Sequence, residues 1–230
     1  MNPGRRLLLN QALEKALEDN AKLRSKALQS RIIINQRIAC LKYTLGYEEK
    51  EILKYLHESS DYVPELVKHR SIEPSLALAV WGICGIIKRN DIIDTLSRTD
   101  PERLGSQHGP PRYTKMMASI FRANQAAWHN EKNIVQKEIE FYDRENTRKR
   151  TNRVFAKWIT GLRNLHATWA KNESLKIPID ERQKYLLESY DQTETDHEGI
   201  LDVHGIGIIT SMHLSGYRTE EDRNPFPIKF

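Results

Sequence analysis

The sequence predicts an all-α protein: a multi-helix bundle with long helices and an N-terminal helical arm. Proline and glycine are scarce inside the periodic stretches and gather between them. Between Tyr113 and Lys171 there is no proline, and Gly161 is the only glycine. Apolar residues recur at spacings of three and four, which is the period of a helix with one buried face.

Taken in order, the first helix is expected from Arg6 to Leu45. Leu9, Leu13, Ala16, Leu23, Ala27, Ile34 and Leu41 follow a loose heptad there, interrupted by Asn20 and Ser30. Gly46 ends it, and "YEEKEILKYLHES" begins a second helix with its acids in the first turn, where the helix dipole favours them. Pro64 and Pro74 bracket a short helix. The next, with Leu76, Val80, Ile83, Cys84 and Ile87, is the most apolar of the chain, and Gly82 and Gly85 suit close helix contact. "NDIIDTLSR" follows as a short helix capped by Asn90 or Asp91. "GSQHGPPR", Gly105 to Arg112, is the clearest break. Beyond it, Met117, Phe121, Asn124, Trp128, Glu131, Val135, Glu138 and Tyr142 keep helical spacing. They predict two long helices or one bent one, with "DREN" at 143–146 as the junction. "KIPID" is a turn and "DERQKYLLESY" a further helix. The segments are therefore an arm (1–46), a helical core (47–106), a linker (107–112), a long basic helical region (113–175) and a C-terminal helical region with an extended tail (176–230).

Composition narrows the function classes. With 39% hydrophobic and 29% charged residues the chain is globular rather than disordered. Cys40 and Cys84 lie far apart in apolar surroundings and read as buried free thiols of a reducing compartment. The opening segment turns polar after three leucines and does not read as a secretory signal. The longest apolar run, Leu76 to Ile87, is shorter than the roughly 20 residues of a membrane span. The expected setting is intracellular, in cytoplasm or nucleus, or a virion.

The net charge of +5 matters through its distribution. Between Arg144 and Arg163 there are seven basic residues and one acid, Glu145. On a helix, Lys149, Arg150, Arg153, Lys157 and Arg163 fall on one side, and Phe155, Trp158, Ile159, Leu162, Leu165 and Trp169 on the other. Arg144 and Arg148 extend the ridge. Like charges at this density repel unless an anion neutralises them, and a phosphate backbone is such an anion. Asn146, Thr147, Thr151 and Asn152 add groups that position a helix on phosphates. The plainer reading is a solvated face answered by acids on neighbouring helices, from "YEEKE" or "DQTETDHEG".

"EGILDVHGIGIITSMHLSGY", residues 198–217, resembles a helix-hairpin-helix motif. Ile200, Leu201 and Val203 stand at its first apolar face, Gly205-Ile206-Gly207 at the hairpin, and Met212 and Leu214 at the second face. The resemblance implies a sequence-independent grip on a DNA or RNA backbone through amides near Gly205 and Gly207, which glycine leaves open to close approach. Ile208 and Ile209 stand where that family usually carries polar or basic residues, and Gly199 weakens the first helix. A packing turn between two buried apolar pieces is the competing reading.

No reaction is announced. His197, His204 and His213 match no metal-ligand spacing, and there is no phosphate loop, dinucleotide fingerprint, paired-cysteine site or serine elbow. No catalytic residue, metal or cofactor is expected. The four tryptophans, Trp81, Trp128, Trp158 and Trp169, sit on apolar stripes and read as core. The tail "RNPFPIKF" is held extended by Pro225 and Pro227. The expected function is a nucleic-acid-binding structural or accessory role, in packaging, replication or a nucleocapsid-like assembly, with homo-oligomers formed through the arm or the tail. The alternative is a helical scaffold for other proteins that binds no nucleic acid.

Overall fold

The computed structural model describes residues 3–24, 27–105, 111–146 and 163. The described residues form eight α-helices and one 3-10 turn, with no strand, so the described part of the chain is all-α. They fall into two compact units, one ending at Tyr62 and the other beginning at Val63.

In the first unit the single helix expected over 6–45 is two, α1 (Pro3–Lys22) and α2 (Leu28–Leu45). They fold back on each other, so the N-terminal segment is a helical hairpin and not an extended arm. Leu9, Leu13 and Ala16 of α1 pack on Ile38, Leu41 and Leu45 of α2. Each leucine buried this way contributes about 1.5–3 kcal/mol. Asn20, the interruption in the heptad, donates to the Asn35 side chain at 3.0 Å across the hairpin. Arg31 donates to the Leu23 carbonyl at 2.8 Å, satisfying a group that the end of α1 leaves open. The third helix, α3 (Glu49–Asp61), carries Glu49 and Glu51 in its first turn and lies against α2. Lys42 is buried at that contact, where Glu51 lies 3.3 Å from Nζ and the Tyr47 ring 4.1 Å away. A buried ammonium needs such partners, and the anion and the ring face supply them.

The second unit is built on α5 (Pro74–Ile86), buried from Leu76 to Ile86. Helices α6 (Asn90–Ser97) and α7 (Pro111–Trp128) pack on it, α4 (Val63–Lys68) adjoins α6, and the 3-10 turn Pro101–Arg103 and α8 (Lys132–Glu145) adjoin α7. Trp81 of α5 sits edge-on to Phe121 and Trp128 of α7, each 6.1 Å away between ring centroids. Gln125, on the same face of α7, donates to the Leu96 and Thr99 carbonyls at 2.8 and 2.7 Å and closes the end of α6.

Four helices end in one hydrogen-bond pattern. After α2, α4, α5 and α7 the chain turns through a left-handed residue, at Gly46, Arg70, Lys88 and Asn130. In each case the following N–H returns to a carbonyl five residues back, at 3.0, 2.9, 2.9 and 2.8 Å. Only Gly46 was visible as a stop signal. The Asn130 turn divides the 113–142 periodicity into an α7–α8 hairpin, so the spacing of three and four marks the facing sides of two helices. α8 itself ends within "DREN".

The cap expected at Asn90 or Asp91 is displaced by one residue. The N-cap position of α6 is Arg89, and no side chain caps it. Arg89 instead grips Asp91, with Nε 2.8 Å from one carboxylate oxygen and a terminal nitrogen 2.9 Å from the other. That hydrogen-bonded guanidinium holds the Asp91 carboxyl below its ordinary 3.8.

Two outcomes test this account. Lys88→Gly should stabilise the protein by about 0.5–1 kcal/mol, because glycine carries no steric penalty at a left-handed φ of 58° and loses only part of the gain to chain entropy. A urea-unfolding midpoint no higher than wild type would refute it. For Asp91 the folded pKa is depressed, so its contribution is present above 3.8 and is lost as pH falls through the folded value. Thermal melts of wild type and Asp91→Asn should differ at pH 7 and converge at the acid end.

Candidate nucleic-acid interface

The basic segment begins at the end of α8. Arg144 stands in the last turn, where the helix dipole favours a cation, and its side chain is exposed. Its guanidinium lies over the Phe141 ring, 5.9 Å from the centroid. Of the other ridge residues, Arg163 is described. Arg148, Lys149, Arg150, Arg153 and Lys157 lie outside the described residues, as do Gly205, Gly207 and the whole 198–217 motif.

Arg163 pairs with Asp143 of α8, and both side chains are about half exposed, at 47% and 49%. Arg163 is thus answered by an acid of its own unit. The acid comes from "DREN", and not from either segment that the sequence nominated. Among the described residues it is one of three such contacts on α8. Glu138 takes Nε of Arg122 at 2.8 Å, and Glu145 lies 3.6 Å from Nε of Arg112. Both arginines belong to α7, Arg112 at the open end of the hairpin and Arg122 midway along it, so they fix the antiparallel register. Ser119 adds a hydrogen bond to the Glu138 carbonyl at 2.8 Å.

The three pairs differ in depth. Glu138 is the most enclosed, its side chain 17% exposed, and its second carboxylate oxygen is buried with no hydrogen-bond partner among the described residues. An acid in an otherwise apolar stripe is a readable sign of such a partner. Glu138 carried that sign in the sequence, although the spacing alone did not name Arg122. Asp143 and Glu145 flank Arg144, so a phosphate arriving at this end of the ridge meets two carboxylates already occupied by arginines.

Among the described residues no group of three or more His, Cys, Asp or Glu side chains could hold a metal ion, and no helix is long and apolar enough to cross a membrane. His197, His204 and His213 lie outside those residues. No family model, curated protein or solved structure matches this chain.

The depth of the pairs gives a ranked expectation. Arg122→Leu strands the enclosed Glu138 carboxylate and should cost about 1–3 kcal/mol, whereas Arg112→Leu removes a surface pair and should cost less than about 1 kcal/mol. Equal losses in denaturant unfolding would show that Glu138 is solvated when Arg122 is gone.

Proposed function

We propose that this protein binds the phosphate backbone of nucleic acid with little sequence preference, through the basic segment from Arg144 to Arg163. The observation that carries the reading is the excess of seven basic residues over one acid in that segment. Arg144 opens the ridge as an exposed cation, and a phosphate is the natural counterion for the repelling charges that follow. Lys149, Arg150, Arg153 and Lys157 make the main contacts in this proposal, with Arg148 and Arg163 at the margins. Gly205 and Gly207 form a second contact if the residues around them fold as the helix-hairpin-helix resemblance implies. Packaging, replication-accessory and nucleocapsid-like roles all use such binding.

A second reading, a helical scaffold for other proteins or for further copies of this chain, has its own support. Arg163 is satisfied within the protein by Asp143, and Leu7 and Leu8 are 59% and 54% exposed near the start of α1. Fluorescence anisotropy separates the two. On the backbone-binding reading, nuclease-treated protein binds labelled single-stranded RNA or DNA with log affinity falling linearly against log salt. Reversing Lys149, Arg150 and Arg153 to Glu then abolishes binding and leaves the far-ultraviolet helix signal unchanged. A folded triple variant with wild-type affinity refutes the assignment, and absence of binding at low salt transfers it to the scaffold.

A further inference from the structure

A cleft of about 440 Å³ opens in the second unit, beside the start of the basic segment. Its volume lies within the roughly 300–1,000 Å³ of small-ligand sites. One wall is the face of α7 that carries Thr114, Lys115, Ala118 and Arg122; Phe141 of α8 adjoins it, and Pro74, Pro101 and Leu104 with Glu102 stand across from it.

The far wall is fixed in place. Asp100 accepts from the Glu102 N–H at 3.0 Å and caps the 3-10 turn, and the Gly105 N–H donates to the Ile72 carbonyl at 2.7 Å. Gly105 is pressed so closely on residues 70–71 that a Cβ there would stand 3.1 Å from the Ser71 carbonyl carbon. That wall is therefore preformed.

Three of the cleft's polar side chains are uncommitted among the described residues. Among the described residues neither Lys115, nor the Glu102 carboxylate, nor the Thr114 hydroxyl has a side-chain partner, whereas Arg122 is engaged by Glu138. The cleft thus offers a free cation on one side, a free carboxylate on the other and an apolar floor that includes an aromatic ring. Alanine at position 118 leaves space on α7 between Lys115 and Arg122. Phe141 links this cleft to the ridge, because the guanidinium of Arg144 lies over the same ring.

We propose that the cleft takes one guanine nucleotide of the single strand whose phosphates the basic segment holds. In this arrangement Lys115 receives the phosphate, Phe141 stacks on the base, and Glu102 accepts from the base edge. Unpaired bases are commonly recognised by aromatic stacking combined with hydrogen bonds to their edges. Guanine presents two adjacent donors, N1–H and N2–H, to the two oxygens of a carboxylate. Uracil presents one donor between two carbonyls, which the carboxylate repels. The inference rests on the backbone-binding reading for the strand, but the cleft can be tested without the ridge.

The test is calorimetric titration of the full chain with GMP and with UMP. GMP should bind at least about ten-fold more tightly, as for one carboxylate–base pair. Glu102→Gln should remove that preference. Lys115→Ala should weaken GMP by about ten-fold and leave guanosine, which has no phosphate, unchanged. Glu102 and Lys115 are both exposed, so neither change threatens the fold. Absence of GMP binding, equal GMP and UMP affinities, or an unaltered preference in Glu102→Gln would each overturn the proposal. The Lys149, Arg150 and Arg153 reversal should leave GMP binding as in wild type, so failure of the cleft and failure of the ridge are read separately. For the strand, an oligouridine with one guanine should bind more tightly than plain oligouridine. Equal binding of the two would overturn the strand as the source of the base.

Discussion

Helix α5 has no polar face, and Trp81 at its middle is the residue on which the second unit turns. A helix that is apolar all round must be covered on every side, and this sets the positions of α6 and α7. The Trp81 ring is held by edges of Phe121 and Trp128 two turns apart on α7, which fixes both the height and the rotation of that helix. Packing alone orients it, because Nε1 has no hydrogen-bond partner among the described residues. Such a buried donor costs about 1–3 kcal/mol, which the surrounding apolar contacts must offset. Trp128, nearer the surface, does find an acceptor, at 3.2 Å on Asp94. Once α7 is placed, α8 follows through the Arg122–Glu138 pair, and the cleft is what remains between this hairpin and the turn at Pro101.

The connections show how the chain reverses with few glycines. Arg70, Lys88 and Asn130 all adopt a backbone conformation that a side chain disfavours. They are held there because the turn satisfies carbonyls at the helix end and because the flanking helices are already packed. Stability here is spread over helix ends as well as over the core.

Charge is organised around α8. Its acids take arginines from α7 and from position 163, while Arg144 points outward among them. The same helix therefore completes the α7–α8 hairpin and begins the basic segment. If phosphate binds there, affinity is set by the difference between a phosphate and the carboxylates that hold arginines in the free protein.

Helix formation itself was legible in the sequence, because a period of three and four with few prolines or glycines is a local property. So were the Gly46 stop, the acidic first turn of α3 and the apolar run that became α5. The separation of α1 from α2 and the turn at Asn130 were not, since nothing in the local residue types forbids a continuous helix at either place. They arise because Leu9 meets Leu45, and Ser119 meets Glu138, only if the chain doubles back. Asn20 was seen as an interruption, and its partner Asn35 appeared only with the hairpin. For the interface, the sequence determined the density of basic residues from Arg144 to Arg163. The tertiary structure alone decided that Asp143 answers Arg163, and that Glu102, Lys115 and Phe141 line one cleft. Charge density is a sum over neighbours in the chain, whereas a site is a coincidence of residues distant in it.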